Sequence, residues 1–273
     1  MHRIVLSVLI AAVAATPQSP APSPAAWKLT WSDDFDGPAN SAPDASKWVH
    51  DLGHGGDGWG NHELEAYSNS IENVHQDGQG HLVIRALKDS SGNYISGRIK
   101  TLGKFAATFG KMEARIKLPH GQGIWPAFWA MGADIQKVGW PDCGEIDIME
   151  NIGKEPGIQH ASLHGPGYSD GHSLTGPYKL PAGENLSDDF HVYAVVRTKD
   201  SAEFLFDGHA YFKANLASLP KGAQWMFNKP FFLLLNVAVG GDWPGPPDSS
   251  TVFPQEMLID YVRVYEPAAA TNQ

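Results

Sequence analysis

A single cysteine, Cys143, in 273 residues excludes any disulfide within the chain, so stability must come from a packed core. Charge is also sparse. Only 18% of residues are charged, the formal net charge is -10 and Lys and Arg form no cluster. That balance disfavours nucleic acid and anionic surfaces as partners and suits a neutral polymer. Helix-period segments are nearly missing, with Leu216 to Leu219 offering one turn. The one long apolar run, Ile4 to Ala12, is too short to span a bilayer. Preceded by Met1-His2-Arg3 and ending near Ala12-Val13-Ala14, it has the layout of a secretory signal over residues 1–15. No cysteine follows that could carry a lipid, so a secreted protein without a membrane span is expected. Thr16 to Ala26, rich in Pro, Ser and Ala, reads as a disordered tether.

What the chain has in quantity is period-two alternation. Lys111 to Leu118 alternates charged and apolar residues without a break, and Phe190 to Arg197 does so more loosely. Asp207-Gly208 between two aromatic-rich arms, Phe204 to Phe212, predicts a β-hairpin. Further strands are expected at Trp27 to Trp31, His81 to Leu87, Trp125 to Met131, Gly157 to His164, Phe231 to Val239 and Met257 to Tyr265. Many short strands punctuated by 29 Gly and 20 Pro imply an all-β, two-sheet antiparallel sandwich. No internal repeat and no second composition regime appear, so one domain over residues 27–266 is expected, followed by a tail at 267–273.

The stretch from Gly144 to Asn151 interleaves three carboxylates with apolar residues. In a regular strand Glu145, Asp147 and Met149 share one face, which leaves Glu150 on the apolar face with Ile146 and Ile148. A β-bulge around Ile148-Met149 returns Glu150 to the side of the other acids and restores an apolar inner face. The Cα atoms of Glu145 and Glu150 then stand about 13 Å apart. Two long side chains leaning together reach the roughly 5 to 5.5 Å carboxyl separation of a retaining glycosidase. The acid spacing alone is a weak signal, since Asp and Glu number 30.

Nine tryptophans are many, and Trp59, Trp125, Trp129, Trp140 and Trp243 lie beside Gly or Pro, where an indole can offer a flat face to a sugar ring. Core packing explains any single one of them about as well. Trp125 and Trp129 share a strand face. Gly55 to Glu65 joins a flexible loop to a dense set of polar side chains, and serves as a binding loop or as a solvated turn. His160 and His164 also share a face, but a zinc pair lacks its third ligand and its usual helix, so a hydrogen bond to substrate or plain packing is preferred. Cys143 has no evident histidine partner and reads as a buried thiol.

Together these segments resemble glycoside hydrolase family 16, and within it the bacterial-type endo-β-1,3-glucanases, or laminarinases. The resemblance rests on Trp59 to Leu64, Ser96-Gly97-Arg98, Phe109 to Arg115, Trp125 to Trp129, Gly144 to Asn151, Leu163-His164-Gly165, Asn236 to Gly241 and Ile259 to Tyr265. It implies a concanavalin-like β-jelly-roll with a cleft across its concave sheet, Glu145 as nucleophile, Glu150 as acid/base and Asp147 as their electrostatic partner. It implies sugar contacts from Trp59, Asn61, Glu63, Arg98, Trp125, Trp129, His164, Asn236 and Trp243. No cofactor is expected for catalysis, while a structural calcium is implied at Asp34, the Gly80 backbone and Asp260. Histidine at position 62 departs from the asparagine common in the family. The expected protein is a monomer that hydrolyses β-1,3-glucan; another β-glycan such as mixed-linkage glucan or agarose, or a non-catalytic glucan lectin, stands as the alternative.

Overall fold

The computed structural model describes residues 27–268, so the expected signal, the tether and most of the tail lie outside the described residues. The strands in chain order are β1 (Trp27–Asp33), β2 (Val49–His50), β3 (Glu65–Tyr67), β4 (Val74–Gln76), β5 (Leu82–Lys88) and β6 (Tyr94–Ser96). Next come β7 (Arg98–Lys100), β8 (Gly110–Lys117), β9 (Ile124–Gly132), β10 (Glu145–Glu150), β11 (Ile158–His164) and β12 (Leu174–Lys179). The last are β13 (His191–Arg197), β14 (Ser201–Phe206), β15 (His209–Asn215), β16 (Phe231–Val239) and β17 (Gln255–Pro267).

They build two stacked sheets. One runs β15-β14-β13-β8-β17-β5-β6-β3, with β1 against β17 and β4 against β5; the other runs β12-β11-β10-β9-β16-β7-β2. Pairing is antiparallel except between β3 and β6, which run parallel and depart from the expected all-antiparallel pattern. Ile84, Met112, Ile116, Val195, Phe204 and Val264 from the first sheet meet Phe128, Ile146, Leu163, Leu235 and Val237 from the second in one buried core. The alternation in β8 is the direct cause: Met112, Ala114 and Ile116 are buried there, while Lys111, Arg115 and Lys117 are partly exposed. The expected turn at Leu216 forms a 3-10 turn over Leu216–Ser218, and a short helix, Ile135–Val138, arises between β9 and β10.

The implied calcium set lies on the first sheet, away from the acids of β10. Asp33 pairs with Val262 and Leu82 with Ile259, so Asp34, Gly80 and Asp260 flank one short stretch of β17. There Asp34 accepts from Arg263 at 2.6 Å and 2.9 Å, and Asp260 accepts from Arg115 at 2.7 Å. Both carboxylates are thus charge-paired within the protein, and an ion at this place competes with two guanidinium groups.

Candidate active site

The second sheet carries the acids, and its register shows how. Along β9, Ile124, Phe128 and Ala130 face the core, which turns Trp125, Ala127, Trp129 and Met131 to the opposite face. Across from them Glu145 pairs with Met131, Asp147 with Trp129 and Glu150 with Ala127, all on that open face. The register slips between Asp147 and Met149, and Ile148 and Met149 are both buried. Against β11 the same slip appears between Asp147 and Glu150. Two core residues therefore oppose Phe128 alone, and the strand regains its polar face at Glu150. The residue skipped in the pairing with β9 is Ile148, with Met149 opposite Phe128, so the extra residue belongs to the 148–149 pair rather than to Met149 by itself. From Met131 to Ala127 is four residues, about 13 Å between the Cα atoms facing the two glutamates.

Each acid has its own partner. Trp140 donates its indole N–H to Glu145 Oε2 at 2.7 Å, and Trp125 donates to Glu150 Oε1 at 2.9 Å. His164, on β11 opposite Glu145, brings Nε2 to 2.9 Å from Asp147 Oδ2, a close contact off the axis of a hydrogen bond. Burial pushes all three acids up: Glu145 to about 8, with the neighbouring Asp147 charge adding to the effect; Asp147 to about 7; and Glu150 well above the carboxylate range. Three carboxylates this close cannot all ionise at neutral pH, so the cluster holds a proton. Glu145, Asp147 and His164 offer donor atoms within 4.8 Å of one another and form a group able to hold a metal ion.

A second network lies beside the acids on the same face. In register, Glu150 is followed by Ala127, Asn236 and Arg98 across β9, β16 and β7. Trp129 donates to Asn236 Oδ1 at 2.7 Å, Asn236 to the Tyr67 hydroxyl at 3.1 Å, and Tyr67 to Glu63 Oε2 at 3.1 Å. Asn61 donates to the other Glu63 oxygen at 3.1 Å. The Arg98 guanidinium lies 4.6 Å from the Trp59 ring and 4.8 Å from the Trp129 ring, an aromatic sandwich for a cation whose Nε sits 3.0 Å from Asp51. The loop carrying Trp59 and Asn61 turns on left-handed residues, and at Gly58 (φ +57°) an added Cβ would lie 2.5 Å from the Glu63 backbone nitrogen. Trp243 completes the wall, edge-on to Trp125 at 5.5 Å and to His160 at 5.0 Å.

The structure thus links all nine expected sugar contacts and the three acids on one face. The two histidines do not converge: His164 meets Asp147, while His160 meets Glu155 at 3.3 Å. Cys143 is buried and its thiol is pushed up to about 11, first by burial, as an inert thiol should be. His62 is exposed between Asp242 at 2.8 Å and Asp57 at 3.4 Å, so it ties two loops of the cleft rim together. Two partners escaped the sequence reading of the site: Tyr67 and Asp51. Trp140 stood out only as a tryptophan beside proline, and Tyr67 continues the period-two spacing of Glu63 and Glu65.

Comparison with known proteins agrees with this geometry. The model of Glycosyl hydrolases family 16 matches residues 62–263. The laminarinase catalytic domain of Thermotoga maritima MSB8 superposes with a TM-score of 0.83 at 46% identity, covering 89% of this chain and 99% of that one. The endo-beta-1,3-glucanase of Pyrococcus furiosus gives 0.83 at 44% identity over 89% of this chain and 96% of that one. A beta-glucanase of Rhodothermus marinus is 39% identical over 252 residues, 88% of this chain and 85% of its own length. With the family model spanning most of the described residues and the bulged acid strand in place, the chain belongs to glycoside hydrolase family 16.

Proposed function

We propose that the protein is a secreted endo-β-1,3-glucanase that cleaves laminarin-type chains with retention of anomeric configuration. The observation that carries this reading is the bulge in β10, which sets Glu145, Asp147 and Glu150 on one face, each glutamate under its own indole donor. High identity to solved laminarinases supports the β-1,3 linkage.

The two glutamates need opposite starting states. Each glutamate has an indole donor, so the asymmetry comes from His164, which lies against Asp147 and opposite Glu145 and favours negative charge there; the shared proton belongs on Glu150. Glu145 attacks the anomeric carbon while Glu150 gives its proton to the glycosidic oxygen; the sugar becomes an ester of Glu145 and the severed chain leaves as an alcohol. Neutralising Glu145 removes a repulsion, and Glu150 becomes a better acid and its carboxylate is left ionised. It then takes a proton from water, whose oxygen displaces Glu145 and restores both groups. Trp59, Trp125, Trp129 and Trp243 supply faces for sugar rings, and Asn61, Glu63, Arg98, His164 and Asn236 supply hydrogen-bonding groups.

Export by the signal at residues 1–15, a Pro/Ser/Ala-rich linker at 16–26, a single catalytic domain over 27–266 and a monomeric state belong to the same proposal. So does a structural calcium held by Asp34, the Gly80 carbonyl and Asp260. Their common position against β17 supports it, and the arginines at both carboxylates compete with it. Reducing-end release from laminarin, lichenan and agarose, measured side by side, tests the function. Laminarin should be cleaved fastest. Faster cleavage of either other polymer reassigns the substrate, and folded protein that binds laminarin without cleaving it would be a lectin.

A further inference from the structure

We propose that Glu145, Asp147 and His164 form an inhibitory site for a divalent transition-metal ion, with Zn2+ as the type case, whose binding ties up the nucleophile. The donor atoms are already gathered within 4.8 Å. In a tetrahedral set two atoms each bound at about 2.1 Å stand roughly 3.4 Å apart, so the group closes on an ion by drawing its donor atoms together by up to about 1.4 Å.

Two further observations point to a ligand. Asp147 is only 2% exposed, yet its Oδ2 makes no well-formed hydrogen bond among the described residues, although His164 Nε2 approaches to 2.9 Å. The two atoms are close without alignment, as donors to a shared third atom are. His164 Nδ1 also has no partner among the described residues. It can carry the ring proton and leave the Nε2 lone pair for a metal.

The donor set decides the class of ion. One imidazole nitrogen with two carboxylates suits Zn2+, Cu2+ or Ni2+, whereas calcium and magnesium take oxygen ligands. A dication also neutralises two carboxylates whose burial as bare charges is costly. Three protein ligands leave one position open toward the cleft for water. Because Glu145 gives an oxygen to the ion, metal and sugar exclude each other.

The site shares side chains with the catalytic reading but is tested without substrate, so failure of one leaves the other standing. Chelator-treated full-length protein is titrated with Zn2+ by calorimetry at neutral pH. One site per chain is expected, weakened more than about tenfold by each of Glu145→Gln, Asp147→Asn and His164→Asn, and unchanged by His160→Asn or His62→Asn. Wild-type protein gives a readout that no variant's folding can disturb: in imidazole NMR spectra the His164 signals should respond first as Zn2+ is added. Absence of Zn2+ binding, equal affinity in the His164→Asn and Asp147→Asn variants, or first response at another histidine overturns the proposal.

Discussion

Trp125 donates its indole N–H to Glu150 Oε1 at 2.9 Å, and this bond acts against the burial that raises the same carboxyl. It favours the ionised form, so its loss must raise the Glu150 pKa further. A Trp125→Phe variant keeps a ring in the wall but no donor. Its kcat/KM profile should show the alkaline limb moved up by about one pH unit, since that limb reports the acid of the free enzyme. An unmoved limb would place the proton donor elsewhere.

Stability should fall as pH rises through the neutral range. Burial raises Glu145, Asp147 and Glu150 as one interacting set above their unfolded values of about 4, so through the neutral range the folded cluster holds a proton that the unfolded chain has released. The sign follows: stabilisation is full below the unfolded values and is lost as pH climbs through the folded ones. Buried Glu65, raised to about 8 by burial and by Glu63, adds a slope of the same sign. Thermal melts at about pH 5 and about pH 8 should differ by several degrees in the wild type and by less in Asp147→Asn, which removes one group and one repulsion. Equal pH slopes would contradict the account.

The bulge can be tested by deletion. Removing Met149 leaves Ile148 to oppose Phe128 and keeps Glu150 opposite Ala127, so the protein should fold and retain reduced activity. Met149 is fully buried, and Met149→Ala should cost about 2 to 5 kcal/mol by the cavity it leaves. Denaturant unfolding of the two variants should show losses of similar size. A deletion variant that does not fold, beside a folded Met149→Ala, would mean that the extra residue is needed for register.

Calcium is checked by chelation. Binding at Asp34, Gly80 and Asp260 should make the melting temperature rise with added Ca2+ and fall with chelator, because a ligand of the folded state alone stabilises it. A melting temperature indifferent to both would mean that Arg263 and Arg115 are the only counter-charges of these acids.

Most of the long strands could be read because their alternation records one wet and one buried face, as in β8. The run Phe231 to Val239 was equally legible as a strand for another reason: β16 is buried on both faces, and its single polar side chain, Asn236, is satisfied by Trp129 and Tyr67. The bulge followed from polarity, since no regular strand could keep Glu150 out of the core. The two- and three-residue strands β2, β3, β4, β6 and β7 were missed, being too short to show a period, and so was the six-residue β12, where Gly176-Pro177 interrupts the alternation. The parallel pairing of β3 with β6 is set by chain path, which no local pattern records. Trp140 and Tyr67 reach the site through tertiary packing, and no spacing rule links Trp140 to Glu145 across a turn.

The central claim is that Glu145 attacks the sugar while Glu150 handles the proton. A slow fluorinated β-1,3-glucosyl fluoride should trap the ester intermediate, and peptide mass spectrometry of the inactivated protein locates the bound sugar. The account predicts one sugar per chain, attached to Glu145. A sugar on Glu150 or Asp147, or turnover with no trapped ester and inversion at the anomeric carbon, would contradict it.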